Sequence, residues 1–164
     1  MSSIAIRGAE PADADAIAVI YNQGIEDRLA TLETPTRSAA ERRGWLTARG
    51  PRHPVLVSEA SGRIVGWGSL NPFNLRPVYD HVADFSVYVE RGWRGRGVGR
   101  RLLEALIARG RELGYHKLVL AAFPFNAAGV ALYRRLGFTE VGVYREQGQL
   151  DGKWVDVVVM EKLL

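Results

Sequence analysis

The chain has 164 residues, 47% of them apolar and 24% charged, which is the balance of an ordinary globular protein with enough length for a buried core. It has no cysteine, which excludes disulfides, thiolate metal sites and a cysteine nucleophile, and its three scattered histidines (His53, His81, His116) argue against a histidine-rich metal site. The net charge of +4 suits an anionic ligand as well as nucleic acid, no run approaches the ~18 apolar residues of a membrane span, and the first residues do not read as a secretory signal, so a cytoplasmic protein off the membrane is expected.

In chain order, SIAIR (3–7) alternates and predicts a short strand. Pro11 and Asp13 open an apolar-periodic helix through Ala16, Ile17, Val19, Ile20 and Tyr21, and the period is lost from Asn22 to Arg37, which predicts a loop. Ser38 can cap a second helix, SAAERRGWLTARG. PVLVSEA and RIVGWGSLN flank Ser61-Gly62 as a hairpin, and the prolines of NPFNLRPVYD mark a loop. VADFSVYVE is a strong strand. After an arginine–glycine segment, VGRRLLEALIARGRELGY carries apolar residues at helical spacing and ends near Gly114. KLVLAAF is a buried strand, and NAAGVALYRRLGF is a helix capped by Asn126 and closed by Gly137. FTEVGVYREQG and KWVDVVVMEKL are final strands around Leu150-Asp151-Gly152. The order β-α-α-β-β-β-α-β-α-β-β predicts one mixed α/β (α+β) domain over 1–164, with a central, mostly antiparallel twisted sheet of about seven strands and helices on both faces.

The segment RGWRGRGVGRRLL (91–103) holds five arginines and four glycines between a strand and a helix. The first N–H groups of a helix lack intrahelical partners, the macrodipole makes that end partly positive, and glycines let a phosphate come close. A Walker loop would need GxxxxGK[ST], which is absent; a dinucleotide fingerprint would need GxGxxG, and the glycines at 95, 97 and 99 are followed by Arg100. Glycine–arginine RNA-binding segments are repeats without a following amphipathic helix.

Arg94, Gly97 and Gly99 form RxxGxG, and Asn126, Tyr133 and Gly137-Phe138 follow as N-x₆-Y-x₃-GF. Together with FSVYVE before the loop, they resemble the GNAT acyltransferase superfamily over nearly the whole chain. RPVYDHVADFSVYV, Tyr21-Asn22-Gln23-Gly24-Ile25 and Gly152-Lys153-Trp154-Val155-Asp156-Val157 are similar to its phosphinothricin, methionine sulfoximine and arsinothricin N-acetyltransferase branch, with Leu32 in place of the branch's phenylalanine. The resemblance implies direct acetyl transfer from acetyl-CoA, as cosubstrate and without a metal, to the primary amine of a small amino-acid-like acceptor. It also implies a homodimer.

The same resemblance suggests which residues do the work. Arg94, Gly95, Arg96, Gly97, Val98, Gly99 and Arg100 would hold the coenzyme's pyrophosphate, and Asn126 and the amides of Val87 and Val89 its pantetheine and thioester. Asp84 stands where the branch has glutamate and is the candidate base, with His81 and Glu90 as alternatives. Tyr133 is the candidate acid for the leaving thiolate. Arg76 and Tyr79, with Glu26, Thr31 and Glu33, are candidates for the acceptor site, an arginine suiting an acidic group bidentately. Each has a plainer reading: a strand-edge carboxylate, a core tyrosine, a surface arginine. Trp45, Trp67 and Trp93 read as packing residues, and Trp154 as a residue near the dimer interface. A protein N-terminal or lysine acetyltransferase on the same fold is the competing activity, and a nucleic-acid-binding module, for which no partner is expected here, is the non-enzymatic one.

Overall fold

The computed structural model describes residues 3–164. Its strands are β1 (Ala5–Gly8), β2 (Val55–Ala60), β3 (Arg63–Pro72), β4 (Val82–Val89), β5 (Lys117–Ala122), β6 (Thr139–Leu150) and β7 (Lys153–Leu163). Its helices are α1 (Ala14–Glu26), α2 (Ala39–Thr47), α3 (Val98–Glu112) and α4 (Ala127–Arg135). The strands form one sheet in the order β1-β2-β3-β4-β5-β7-β6, antiparallel throughout except for β4 and β5. The element order and fold class match those read from the sequence.

Local chemistry explains most boundaries. Ser61 and Gly62 both take positive φ, as do Asp151 and Gly152, which is the geometry of two-residue hairpins. Ser38 Oγ accepts from Glu41 N–H at the start of α2, and Asn126 Oδ1 accepts from Gly129 N–H at the start of α4. The first helix differs from expectation: it runs on to Glu26 instead of dissolving after Tyr21. Ile17, Tyr21 and Ile25 are buried at i, i+4, i+8, so the apolar face continues while Asn22, Gln23 and Glu26 break only the solvent side.

The helices divide between the sheet's faces. On one face Ile17, Ile20, Tyr21 and Ile25 of α1 pack on Val55, Val57 and Trp67, with Trp45 of α2 beside them. On the other, Leu103, Leu106 and Ile107 of α3 and Val130 of α4 pack on Leu70, Phe85, Leu118, Leu120 and Met160. Each such side chain contributes roughly 1.5–3 kcal/mol by leaving water. Strand β4 serves both layers by alternation: Phe85, Val87 and Val89 face α3, while Tyr88 faces α1.

Candidate active site

The turn from β4 into α3 carries the densest charge. Gly95 and Gly97 sit at φ of 77° and 84°, in the left-handed region that favours glycine, and Gly97 is the residue that starts α3. The first backbone bond of the helix runs from Arg101 N–H to the Gly97 carbonyl. Among the described residues, no backbone N–H from Arg94 to Arg100 donates to a protein acceptor with hydrogen-bond geometry. The result is a run of unfilled donors at the positive end of a fifteen-residue helix.

The arginines of the turn are less available than their number suggests. Asp27, at the end of α1, accepts from Arg91 Nη2 at 2.8 Å and Arg94 Nη1 at 2.6 Å, and these two guanidinium groups hold its carboxyl below the ordinary range. Arg94 Nε also donates to the Val89 carbonyl at 3.4 Å. Arg96 lies over the Trp93 ring at 4.8 Å, and Arg100 pairs with Glu104. The backbone is therefore the part of this turn that is open to an anion.

Beside it, β4 and β5 part. They pair only over Val82–Asp84 against Lys117–Val119, although β4 continues to Val89 and β5 to Ala122. Glu90 N–H donates back to Val65 of β3, so by alternation the N–H groups of Val87 and Val89 point away from β3, into the widening gap. Leu132 of α4 closes in on the same place: a Cβ on Gly99 would lie 3.5 Å from Val89, 3.8 Å from Leu132 and 4.0 Å from Val87. The next residue, Tyr133, packs edge-on against Phe85 and Phe138, and burial pushes its hydroxyl pKa up. No protein group accepts from that hydroxyl among the described residues.

Asp84 occupies the last paired position before the gap. Burial raises its carboxyl from 3.8 to about 6, against a small opposing effect of Asn71, whose Nδ2 donates to Oδ1 at 3.4 Å. Asn71 cannot turn round. Its Oδ1 accepts from Ser69 Oγ at 2.9 Å and Arg49 Nη2 at 2.9 Å, so its amino group must face Asp84 and Ser86. Asn71, Ser69 and Ser86 line a cavity of about 410 Å³ on the α1–α2 side of the sheet, together with Tyr21, Thr31, Glu33, Arg42, Trp45, Trp67 and Tyr88. A second, more apolar cavity of about 300 Å³ lies across Thr31, lined by Leu32, Ala121, Ala122, Phe123, Tyr144 and Gln147 among others.

The structure thus gathers Asp84, Thr31 and Glu33 on one face of the sheet and the glycine turn, Val87, Val89 and Tyr133 around the other, while Asn126 caps the start of α4. Several expected residues fall elsewhere. Glu26 lines neither cavity; it faces Arg91 at 3.3 Å, because the longer α1 carries it to the glycine turn. Arg76 is exposed at the head of the 3-10 turn Pro77–Tyr79, and Tyr79 packs edge-on against Phe73; neither lines a cavity. Glu90 is occupied by Gly92 N–H and Gln23, and His81 neighbours His116. Trp45 and Trp67 pack as expected and also wall the larger cavity.

Arg42 and Asn71 were not singled out by sequence. The helical spacing that places Arg42 beside Trp45 was readable, but its burial was not. No group of three or more metal-ligating side chains gathers among the described residues.

Comparison with known proteins gives concordant matches. A model described as the acetyltransferase (GNAT) family matches residues 21–138. An L-methionine sulfoximine/L-methionine sulfone acetyltransferase of Pseudomonas paraeruginosa PA7 is 37% identical over 161 residues, 97% of this chain and 94% of that protein. A ribosomal-protein-alanine N-acetyltransferase of Brucella melitensis superposes with a TM-score of 0.94 at 39% identity, covering 98% of this chain and 99% of that one. A phosphinothricin acetyltransferase of Sinorhizobium meliloti, solved with acetyl-CoA, has a TM-score of 0.91 at 29% identity, covering 98% and 88%.

Proposed function

This chain belongs to the acetyltransferase (GNAT) family and is an acetyl-CoA-dependent N-acetyltransferase, and we propose that its acceptor is the primary amine of a small amino-acid-like molecule of the methionine sulfoximine, phosphinothricin or arsinothricin type. The observation that carries the cosubstrate site is the run of unfilled amides from Arg94 to Arg100, made approachable by Gly95 and Gly97. Those amides would take the pyrophosphate, a role helix starts commonly fill. The Val87 and Val89 amides and Asn126 would take the pantetheine arm, and Arg94 would have to share its charge with Asp27. When bound, acetyl-CoA supplies the acetyl group as a thioester.

The remaining roles belong to side chains of the chain itself. Asp84, ionised above about pH 6, takes a proton from the acceptor's ammonium, directly or through a water. The amide of Val87 is a fixed donor for the oxygen on which negative charge develops. Tyr133, kept protonated by burial, holds a proton for the departing thiolate. Holding both reactants at the gap supplies a further share of the rate through orientation alone. Thr31 and Glu33 line the cavity into which the acceptor fits. A homodimer, joined along the exposed β6 edge, completes the reading.

The test is an acetyl-transfer assay, followed by coenzyme A release, over phosphinothricin, methionine sulfoximine, arsinothricin, the common amino acids and short peptides. Turnover of free amino acids above peptides is expected; turnover of peptides alone would assign a protein acetyltransferase instead. Gly97→Val places a β-branched residue at a φ of 84° and should raise the KM for acetyl-CoA at least tenfold. An unchanged KM would remove the glycine turn from the cosubstrate site.

A further inference from the structure

The larger cavity contains a cation that makes no side-chain hydrogen bond or ion pair among the described residues. Arg42, in the first half of α2, is 8% exposed. Its guanidinium lies over the rings of Tyr21 at 5.0 Å and Trp45 at 4.6 Å. Among the described residues none of its side-chain N–H groups meets an acceptor, no carboxylate lies within ion-pair distance, and Nε is fully buried without a partner. Glu33 lines the same cavity and attracts Arg42 through space, but its carboxylate oxygens are hydrogen-bonded by the Tyr21 hydroxyl and by Arg37 and not by Arg42. Stacking on two aromatic rings offsets only part of the desolvation of a buried cation.

A second observation points the same way. Three buried side-chain atoms lack a partner among the described residues, and two of them, Arg42 Nε and Trp67 Nε1, belong to residues that line this cavity. Both groups can only donate. Those two atoms are themselves enclosed, and the terminal N–H groups of the Arg42 guanidinium are the donors a ligand can meet; a cavity that presents them is complementary to a ligand bearing anionic oxygens. A carboxylate lies nearby: Asp84 is outside the lining itself but accepts from Asn71, which is part of it.

We infer that Arg42 is the anion anchor of the acceptor pocket, taking the acceptor's carboxylate while the amine faces the Asp84 side, so that the pocket selects a zwitterionic amino acid. The inference rests on the acceptor class proposed above and assigns its acidic group to Arg42 rather than to the exposed Arg76. It also supplies the discrimination between the two acceptor classes. A free amino acid presents a carboxylate to Arg42, whereas a peptide N-terminus presents a neutral amide and leaves the buried charge unanswered.

The experiment compares L-methionine sulfone with its carboxamide as acceptors for the purified protein and for Arg42→Met, which keeps an unbranched apolar stem and removes the guanidinium charge. Wild type should prefer the acid. In Arg42→Met the acceptor KM for the acid should rise about 30-fold or more, the preference over the carboxamide should collapse, and the KM for acetyl-CoA should hold. The variant's Tm should not fall, since a buried charge with no hydrogen-bonded counter-ion is replaced by an apolar side chain. A purely structural, stacking role predicts the reverse, a lower Tm with the preference intact, and that result overturns the assignment.

Arg42→Lys, which keeps the charge but loses the planar fork, gives the same reading if Arg42→Met does not fold: the preference must still drop. A wild type that acetylates neither compound, nor phosphinothricin or methionine sulfoximine, sinks the acceptor class and the anchor together. A wild type that acetylates both equally, or a preference unchanged in the variants, sinks the anchor alone.

Discussion

Asp84 shows how one buried side chain ties activity to stability. Its carboxyl titrates near 6 in the folded chain instead of 3.8, because burial disfavours the charge more than Asn71 restores it. A raised pKa means that the folded state holds the proton more tightly than the unfolded one. The contribution to stability is therefore complete below about pH 3.8, declines between 3.8 and 6, and above 6 becomes a burden of up to about 3 kcal/mol. Asp84→Asn removes that burden and keeps an acceptor for the Asn71 amino group. The variant should melt higher than wild type at pH 8, with the difference shrinking toward pH 4, and its kcat should fall by about 100-fold, the usual worth of a positioned base. Wild-type kcat/KM should rise through an apparent pKa near 6. A melting advantage with full turnover would show a buried carboxylate with no part in the chemistry.

At the scale of elements, the join of β4 to α3 separates two uses of glycine. Gly97 is required by its backbone angle, whereas Gly99 lies within α3 at ordinary dihedrals, and a Cβ there would make only van der Waals contacts with Val89, Leu132 and Val87. Gly99→Ala should therefore keep or raise the Tm, alanine being favoured over glycine inside a helix by ~1 kcal/mol. The added methyl enters the space between α3, α4 and the end of β4, so the KM for acetyl-CoA should rise several-fold. A calorimetric titration with acetyl-CoA that finds the affinity unchanged would show that this space is not used by the cosubstrate.

This join was also the most legible part of the chain, because glycine spacing, a strong strand and a periodic helix are all local signals. The extension of α1 to Glu26 was missed since polar residues on its outer side hid a buried stripe through Ile25. The acceptor side was less legible still. Arg42, Asn71 and Asp84 come from three different elements, and only folding reveals which arginine is buried without a hydrogen-bonding partner among the described residues and which, like Arg76, is exposed.

Over the whole molecule, one edge of the sheet stands out as unfinished. The apolar run WVDVVVM is consistent with burial either between subunits or within one chain, and the structure gives the second: β7 lies inside the sheet between β5 and β6, and Val157, Val158 and Met160 are covered within the chain. The exposed apolar surface belongs instead to the edge strand β6, with Val141, Val143 and Tyr144 all at least 46% exposed, and to Trp154 at the start of β7. A long edge strand with apolar side chains in water invites pairing with another copy. Light scattering after size-exclusion chromatography should give the mass of two chains at micromolar concentration. Val143→Glu, which touches neither cavity, should give the mass of one, because a buried like-charge pair across a two-fold contact is opposed from both sides. Tyr144 lies on the same edge and lines the smaller cavity, whose other wall is the loop at Thr31. Loss of the second copy should therefore reach the acceptor side, raising the acceptor KM, while the distant start of α3 keeps its affinity for acetyl-CoA. A wild type that scatters as one chain would leave the β6 edge without this partner.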